Sequence, residues 1–193
     1  MGNQAREQEL EQQAKLLNET IKQLFKERGE IDFAKEPVLN KRTIVEYSGR
    51  MRADGMEKFN NPTYVSFVNF YIDAKSMEKH SALGALVVYV EQSYIVPLMK
   101  KLKYPPIDDE DEDAMKDGCG ALCNIIAGAY KSALVAGGFA ELEMSPFSNY
   151  RNTASNGVEF CFKEWDKYEI GYNLDGEKRL VVELTMGAIP KRK

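Results

Sequence analysis

Few side chains in this sequence could do chemistry, which narrows the possibilities at once. His80 is the single histidine, the residue type most often used as general base or metal ligand near neutral pH. It lies between the polar Lys75 to Lys79 stretch and an apolar run, where a solvated loop is the expected setting. Cys119, Cys123 and Cys161 are odd in number, and no second cysteine pair or clustered histidine completes a zinc set. They read as reduced, structural thiols, and no metal or cofactor is expected. Six consecutive acids, Asp108 to Asp113, stand directly ahead of a helical stretch. Acids there complement a helix dipole, and the run lacks the internal glycine and the correctly offset glutamate of a calcium loop. No GxxxxGK[ST], no GxGxxG after a strand and no HExxH occurs. The common nucleotide, dinucleotide and zinc-hydrolase fingerprints are therefore absent, and Ser-His-Asp or Cys-His machinery is not expected.

What remains is an amide. From Asp113 to Ala136 the residues separate into two faces at about 100° per residue. Met115, Leu122, Ile126, Ala129 and Ala133 share one side, while Asp117, Ala121, Asn124, Gly128 and Lys131 fall opposite them. Asn124 thus points away from the apolar stripe, flanked by the small residues Ala121 and Gly128. Three glycines, Gly118, Gly120 and Gly128, cost about 1 kcal/mol each in a helix relative to alanine. They imply that another element approaches closely or that the helix bends.

The elements that must position this helix are legible in outline. With 193 residues, 44% apolar and 29% charged, the chain is the size of one large domain, or a domain plus an arm. A net charge of -4 argues against sequence-independent binding to nucleic acid or anionic lipid. No uninterrupted apolar run approaches the roughly 18 residues of a membrane span, and the first residues lack a secretory apolar segment. A cytoplasmic protein is expected. Ala5 to Arg28 has helical spacing at Leu10, Leu17, Ile21 and Leu24/Phe25, with Gly29 as its stop. Thr43 to Tyr47 has strand character, and Asp54-Gly55 marks a turn. Thr63 to Ile72 favours a strand, or alternatively a helix begun at Pro62. Leu83 to Val90 is a second strong strand, and Gln92 to Leu102 a helix with Pro97 in its first turns. Phe139 to Met144, Val158 to Phe162, Tyr168 to Tyr172 and Leu180 to Met186 read as strands, with turns at Asn156-Gly157 and Asp175-Gly176. Lys191-Arg192-Lys193 is expected to fray. The order makes an α+β fold in which two long helices cover an antiparallel sheet. Residues 1–40 form an N-terminal helix and connection, and 41–193 the main domain.

Asp117-x3-Ala121-x2-Asn124-Ile125-Ile126-Ala127-Gly128, followed by Lys131 and Leu134, resembles the signature helix of the CheC/CheX/FliY chemotaxis phosphatases, written [DS]-x3-E-x2-N. The likeness spans roughly 60–188, through Ala82 to Val90, Leu98 to Pro106 and Glu141 to Pro146. A single motif resembles CheX more than the two-motif CheC. The resemblance implies a protein that docks its signature helix on a phosphorylated CheY-like response regulator and promotes hydrolysis of the aspartyl phosphate. In that family the asparagine, here Asn124, orients the attacking water, and the glutamate pairs with a lysine of the regulator. The helix positions Asp117, Ala121, Gly128 and Lys131 would then face the partner, and the protein would be a homodimer. This sequence departs at the glutamate, which is Ala121. Losing a charge-assisted contact costs about 1.5 to 3 kcal/mol, ten- to more than a hundredfold. Asp117 sits about 10 Å from Asn124 along the axis and substitutes poorly. Two readings stay open: a weak phosphatase, or a catalytically inactive binding module on the same fold. The first helix is either the family's opening helix extended or an oligomerisation arm.

Overall fold

The computed structural model describes residues 2–192. Helix α1 (Gly2–Gly29) forms because no proline or glycine interrupts it after its first residue, and Leu10, Ala14, Leu17, Ile21 and Phe25 recur on one fully buried face. It stops one residue later than the glycine suggests. Glu30 takes the left-handed conformation, and Ile31 donates its N–H back to the Phe25 carbonyl at 3.2 Å, as in a Schellman cap.

Three short strands follow, β1 (Val38–Thr43), β2 (Glu46–Tyr47) and β3 (Arg50–Ala53), then one helical turn, α2 (Met56–Phe59). Strand β4 (Thr63–Tyr71) settles the alternative left open by sequence: every residue in it is buried, which a helix of that length could achieve only if surrounded. After α3 (Ala74–Glu78) come the wholly buried β5 (Gly84–Glu91), α4 (Gln92–Lys101) and the long α5 (Glu112–Ala136). The chain closes with β6 (Glu143–Met144), β7 (Ser148–Arg151), β8 (Ser155–Val158), β9 (Asp166–Leu174) and β10 (Glu177–Met186).

Seven strands make one antiparallel sheet in the order β1-β9-β10-β5-β4-β6, with β7 also on β4. The α+β architecture expected from the sequence is present, with α1 and α5 as its long helices. Those helices and α4 lie on one face, over Tyr64, Val68, Leu86, Val88, Tyr172 and Val182. Residues from 1–40 and from 41–193 therefore share a single core. α5 is the one described helix long and apolar enough to cross a membrane, and its apolar stripe is spent on this core instead.

The other face carries something the sequence did not announce. A second sheet, β2-β3-β8, lies over it and buries Met51, Ala53, Val65, Phe67, Val87 and Tyr89. Asn156-Gly157, expected as a turn, lies inside β8, because Ser155 and Val158 pair with Ala53 and Met51. The chain turns at Asn152 instead, which has φ of 48°. Residues after Val158 leave the sheet, and Phe162 is 76% exposed rather than part of a strand. Asp175 and Gly176, both at positive φ, do make the tight β9–β10 hairpin. Of the expected Phe139 to Met144 strand only Glu143–Met144 is ladder, pairing with Tyr71 and Phe70. Lys191 does not fray: it bridges Phe139, and Arg192 donates its N–H to the Gly138 carbonyl at 2.9 Å, while Lys193 lies outside the described residues.

Beneath the second sheet is a buried ion network. Glu183 is fully buried and accepts hydrogen bonds from Lys58 at 2.7 Å, Lys167 at 2.8 Å and the Tyr89 hydroxyl at 2.7 Å. Lys58 also donates to Glu169 at 2.6 Å. Burial alone would raise the Glu183 pKa, but Lys167 and Lys58 outweigh it and hold the carboxyl below its ordinary range.

Candidate functional site

The run of six acids leads into α5 and supplies its cap. Asp111 is the N-cap residue, and its carboxylate accepts from the Ala114 N–H at 3.0 Å. Glu112 and Asp113 occupy the first turn, where they meet the positive end of the dipole, and Lys116 pairs with Asp113 at 2.7 Å. The helix runs one residue longer at its start than the sequence suggests.

Its buried side comprises Met115, Cys119, Leu122, Cys123, Ile126, Ala127, Tyr130 and Leu134. Ala129 and Ala133, expected on that side, are only half-buried: the stripe is rotated toward Cys119 and Cys123, which pack as small hydrophobes and which an apolar face drawn from aliphatic residues leaves out. Burial raises the Cys119 thiol pKa well above its usual value, with Cys123 adding to the effect, and pushes Cys123 up to about 12. Neither thiol can serve as a nucleophile near neutral pH. His80 sits in a turn with 72% of its side chain exposed, where its Nδ1 meets Glu159 at 2.9 Å.

The solvent side of α5 is a ridge. Asn124 and Asp117 are exposed, and Ala121, Gly128 and Lys131 are half-buried along the same row. Asp117 accepts a hydrogen bond from the Asn149 side-chain amide at 3.1 Å, and Lys131 pairs with Glu141 at 3.2 Å. Its three glycines have three different reasons. A Cβ on Gly118 would meet the Ile107 side chain, and one on Gly120 would run into the Phe147 ring. At Gly128 it would enter open space, so this glycine serves no contact within the chain. Phe147 and Asn149 escaped sequence reasoning because nothing local marks them as neighbours of a helix some thirty residues earlier.

Two concavities lie elsewhere. One of about 520 Å³ is lined by Leu10, Leu83, Phe162, Trp165 and Tyr168 among others, and contains no residue of α5. Another of about 600 Å³ lies beside Gln92, Val96 and Asp109, touching α5 only at Met115. Among the described residues no group of His, Cys, Asp and Glu is placed to hold a metal ion. The amide of Asn124 therefore stands on the solvent side of a core helix and lines neither of these concavities.

No protein-family model matches the sequence, and no curated protein matches it either. Solved structures do. The chemotaxis protein CheX from Vibrio vulnificus superposes with a TM-score of 0.58 at 12% identity, over 90% of this chain and 97% of that one. A CheC-like superfamily protein from Shewanella sp. PV-4 gives 0.57 at 14% identity, over 89% and 95%. The chain has the CheC/CheX/FliY fold. The likeness spans about nine-tenths of the chain, and the neighbours include a CheX–CheY–BeF3–Mg2+ complex from Borrelia burgdorferi, at 0.52 and 14% identity over 91% and 97%.

Proposed function

We propose that this CheX-like chain docks the exposed ridge of α5 on a phosphorylated CheY-like response regulator and, through Asn124, promotes hydrolysis of its aspartyl phosphate. The observation that carries the reading is the exposure of Asn124 on a ridge whose neighbours Ala121 and Gly128 leave its amide open to an approaching surface. In this step a water oxygen attacks phosphorus and the bond from phosphorus to the aspartyl oxygen breaks. The products are the regulator's free carboxylate, inorganic phosphate and a proton. An acyl phosphate is already reactive, and the regulator supplies the divalent metal. A positioned amide then contributes chiefly by geometry, as water-orienting residues do in phosphoryl transfer. No cofactor, histidine or thiol of this chain is required, which agrees with the inert burial of Cys119 and Cys123.

Ala121 favours a second reading, in which the same surface binds the regulator without hydrolysing anything. Decay of a phosphorylated CheY-like receiver, with and without the protein, separates the two. Acceleration that disappears in Asn124→Ala supports the phosphatase. Binding without acceleration supports the inactive module, and the absence of both sinks the proposal. The same proposal holds the protein to be a cytoplasmic homodimer that contacts neither nucleic acid nor membrane. Strand β1, at one end of the sheet and exposed along nearly its whole length, is an edge on which a second copy would extend the ladder. Light scattering at micromolar concentration tests it, a monomer mass being the contrary result.

A further inference from the structure

Both charged members of the α5 ridge are engaged within the chain: Asp117 is held by Asn149, and Lys131 is paired with Glu141. The position where the signature carries its acid is Ala121. The middle of the surface left for a partner, made of Asn124, Ala121 and the open Gly128, carries no charged side chain of its own. Beside it stands an aromatic ring. Phe147 is 37% exposed and seated on Gly120, one helical turn before Asn124 on the same strip of the helix. Three contacts fix the segment that carries it. The ring fills the place of the missing Gly120 side chain, Asn149 reaches Asp117, and the Ser148 carbonyl accepts from the Ser66 hydroxyl at 3.0 Å. A half-exposed ring held this rigidly loses little conformational freedom when a partner covers it, as is typical of residues that dominate interfaces.

We infer that Phe147 is the anchor of the docking surface, and that recognition of the receiver domain here runs on apolar contact around Asn124 in place of the charge pair lost at Ala121. This deepens the proposed function and rests on it. The glycine at 120 and the asparagine at 149 are then positioning residues, which seat the ring and its segment against the helix.

The test is the affinity of the full-length protein for purified CheY-like receiver domains loaded with beryllofluoride and Mg2+, measured by titration calorimetry from 50 to 500 mM NaCl. Wild-type affinity is expected to change by less than about threefold across that range, because exposed ion pairs and not apolar contacts are screened. Phe147→Ala is expected to weaken binding by about tenfold or more, and Phe147→Leu to restore most of it. Circular dichroism and thermal melts on each variant keep a folding defect from counting as a binding defect. Should Phe147→Ala unfold the segment, the otherwise wild-type protein carrying fluorine-labelled phenylalanine keeps the test: the Phe147 resonance is expected to shift when the loaded receiver is added, and an unmoved resonance on a bound complex overturns the inference. Binding that is indifferent to Phe147, or that falls steeply with salt, overturns the inference while leaving the docking proposal standing. A wild-type protein that binds no receiver overturns both.

Discussion

At the scale of single residues, the proposed function turns on the contrast between Asn124 and Ala121. An exposed amide orients water by position alone and keeps that ability without its charged neighbour. The neighbour's contribution is separable, so Ala121→Glu is expected to raise the rate of receiver dephosphorylation by roughly tenfold or more, the worth of one charge-assisted contact. On the inferred apolar docking, the same substitution is expected to introduce a salt dependence absent from the wild type, readable in the same decay assay at two ionic strengths. An unchanged rate would mean that the regulator offers no cation to that position. The cysteines add a check on the core. Cys119 and Cys123 should resist an aromatic disulfide reagent in the native state and react on unfolding, while the half-buried Cys161 should react first.

At the scale of the element, α5 carries two glycines with opposite expectations. Gly128 faces open space at helical φ, so Gly128→Ala should stabilise the protein by about 0.5 to 1 kcal/mol through helix propensity. Gly120→Ala gains the same propensity but drives a methyl into the Phe147 ring, and overpacking costs about 1 to 3 kcal/mol. The melting temperature is expected to rise by a few degrees in the first variant and to fall in the second. Equal shifts would show that the ring is not seated where the structure places it. The helix itself was legible in sequence, with its acidic cap, its exposed row and its end near Gly137. The true centre of its buried stripe was not, because Cys119, Cys123 and Tyr130 face the sheet and a count of aliphatic residues pulls the face toward Ala129 and Ala133.

At the scale of the whole molecule, the sheet is buried on both faces, by helices on one and by β2-β3-β8 on the other. The ion network around Glu183 lies on the second face, and its sign sets a pH dependence. Because the folded-state pKa of Glu183 is depressed, its contribution is complete above the ordinary carboxylate range and is lost as pH falls through the lower folded value. Urea unfolding is therefore expected to show stability declining below about pH 4.5, more steeply in wild type than in Glu183→Gln. At pH 7 that variant should lose about 3 kcal/mol, since it leaves Lys167 buried without its carboxylate. A variant as stable as wild type at pH 7 would show that the two lysines find other partners or water.

Local pattern was enough for some of this protein. Local pattern within single windows determined α1, α4, α5 and the strands β5, β9 and β10, favoured β4 as a strand without excluding a helix, and one helical wheel placed Asn124 on the solvent side. These follow from forces that act between residues three or four apart on a helix, or two apart on a strand, and they survive in the linear order. Only the tertiary structure decided what lies against what. Phe147 fills the space above Gly120, Asn149 holds Asp117, and Lys58 reaches Glu183 from 125 residues away. The small second sheet exists only because its strands are laid on an apolar face that it covers, and Asn156-Gly157 is strand there for the same reason. Such contacts are chosen by burial and shape across the whole chain, and no window of sequence contains both partners.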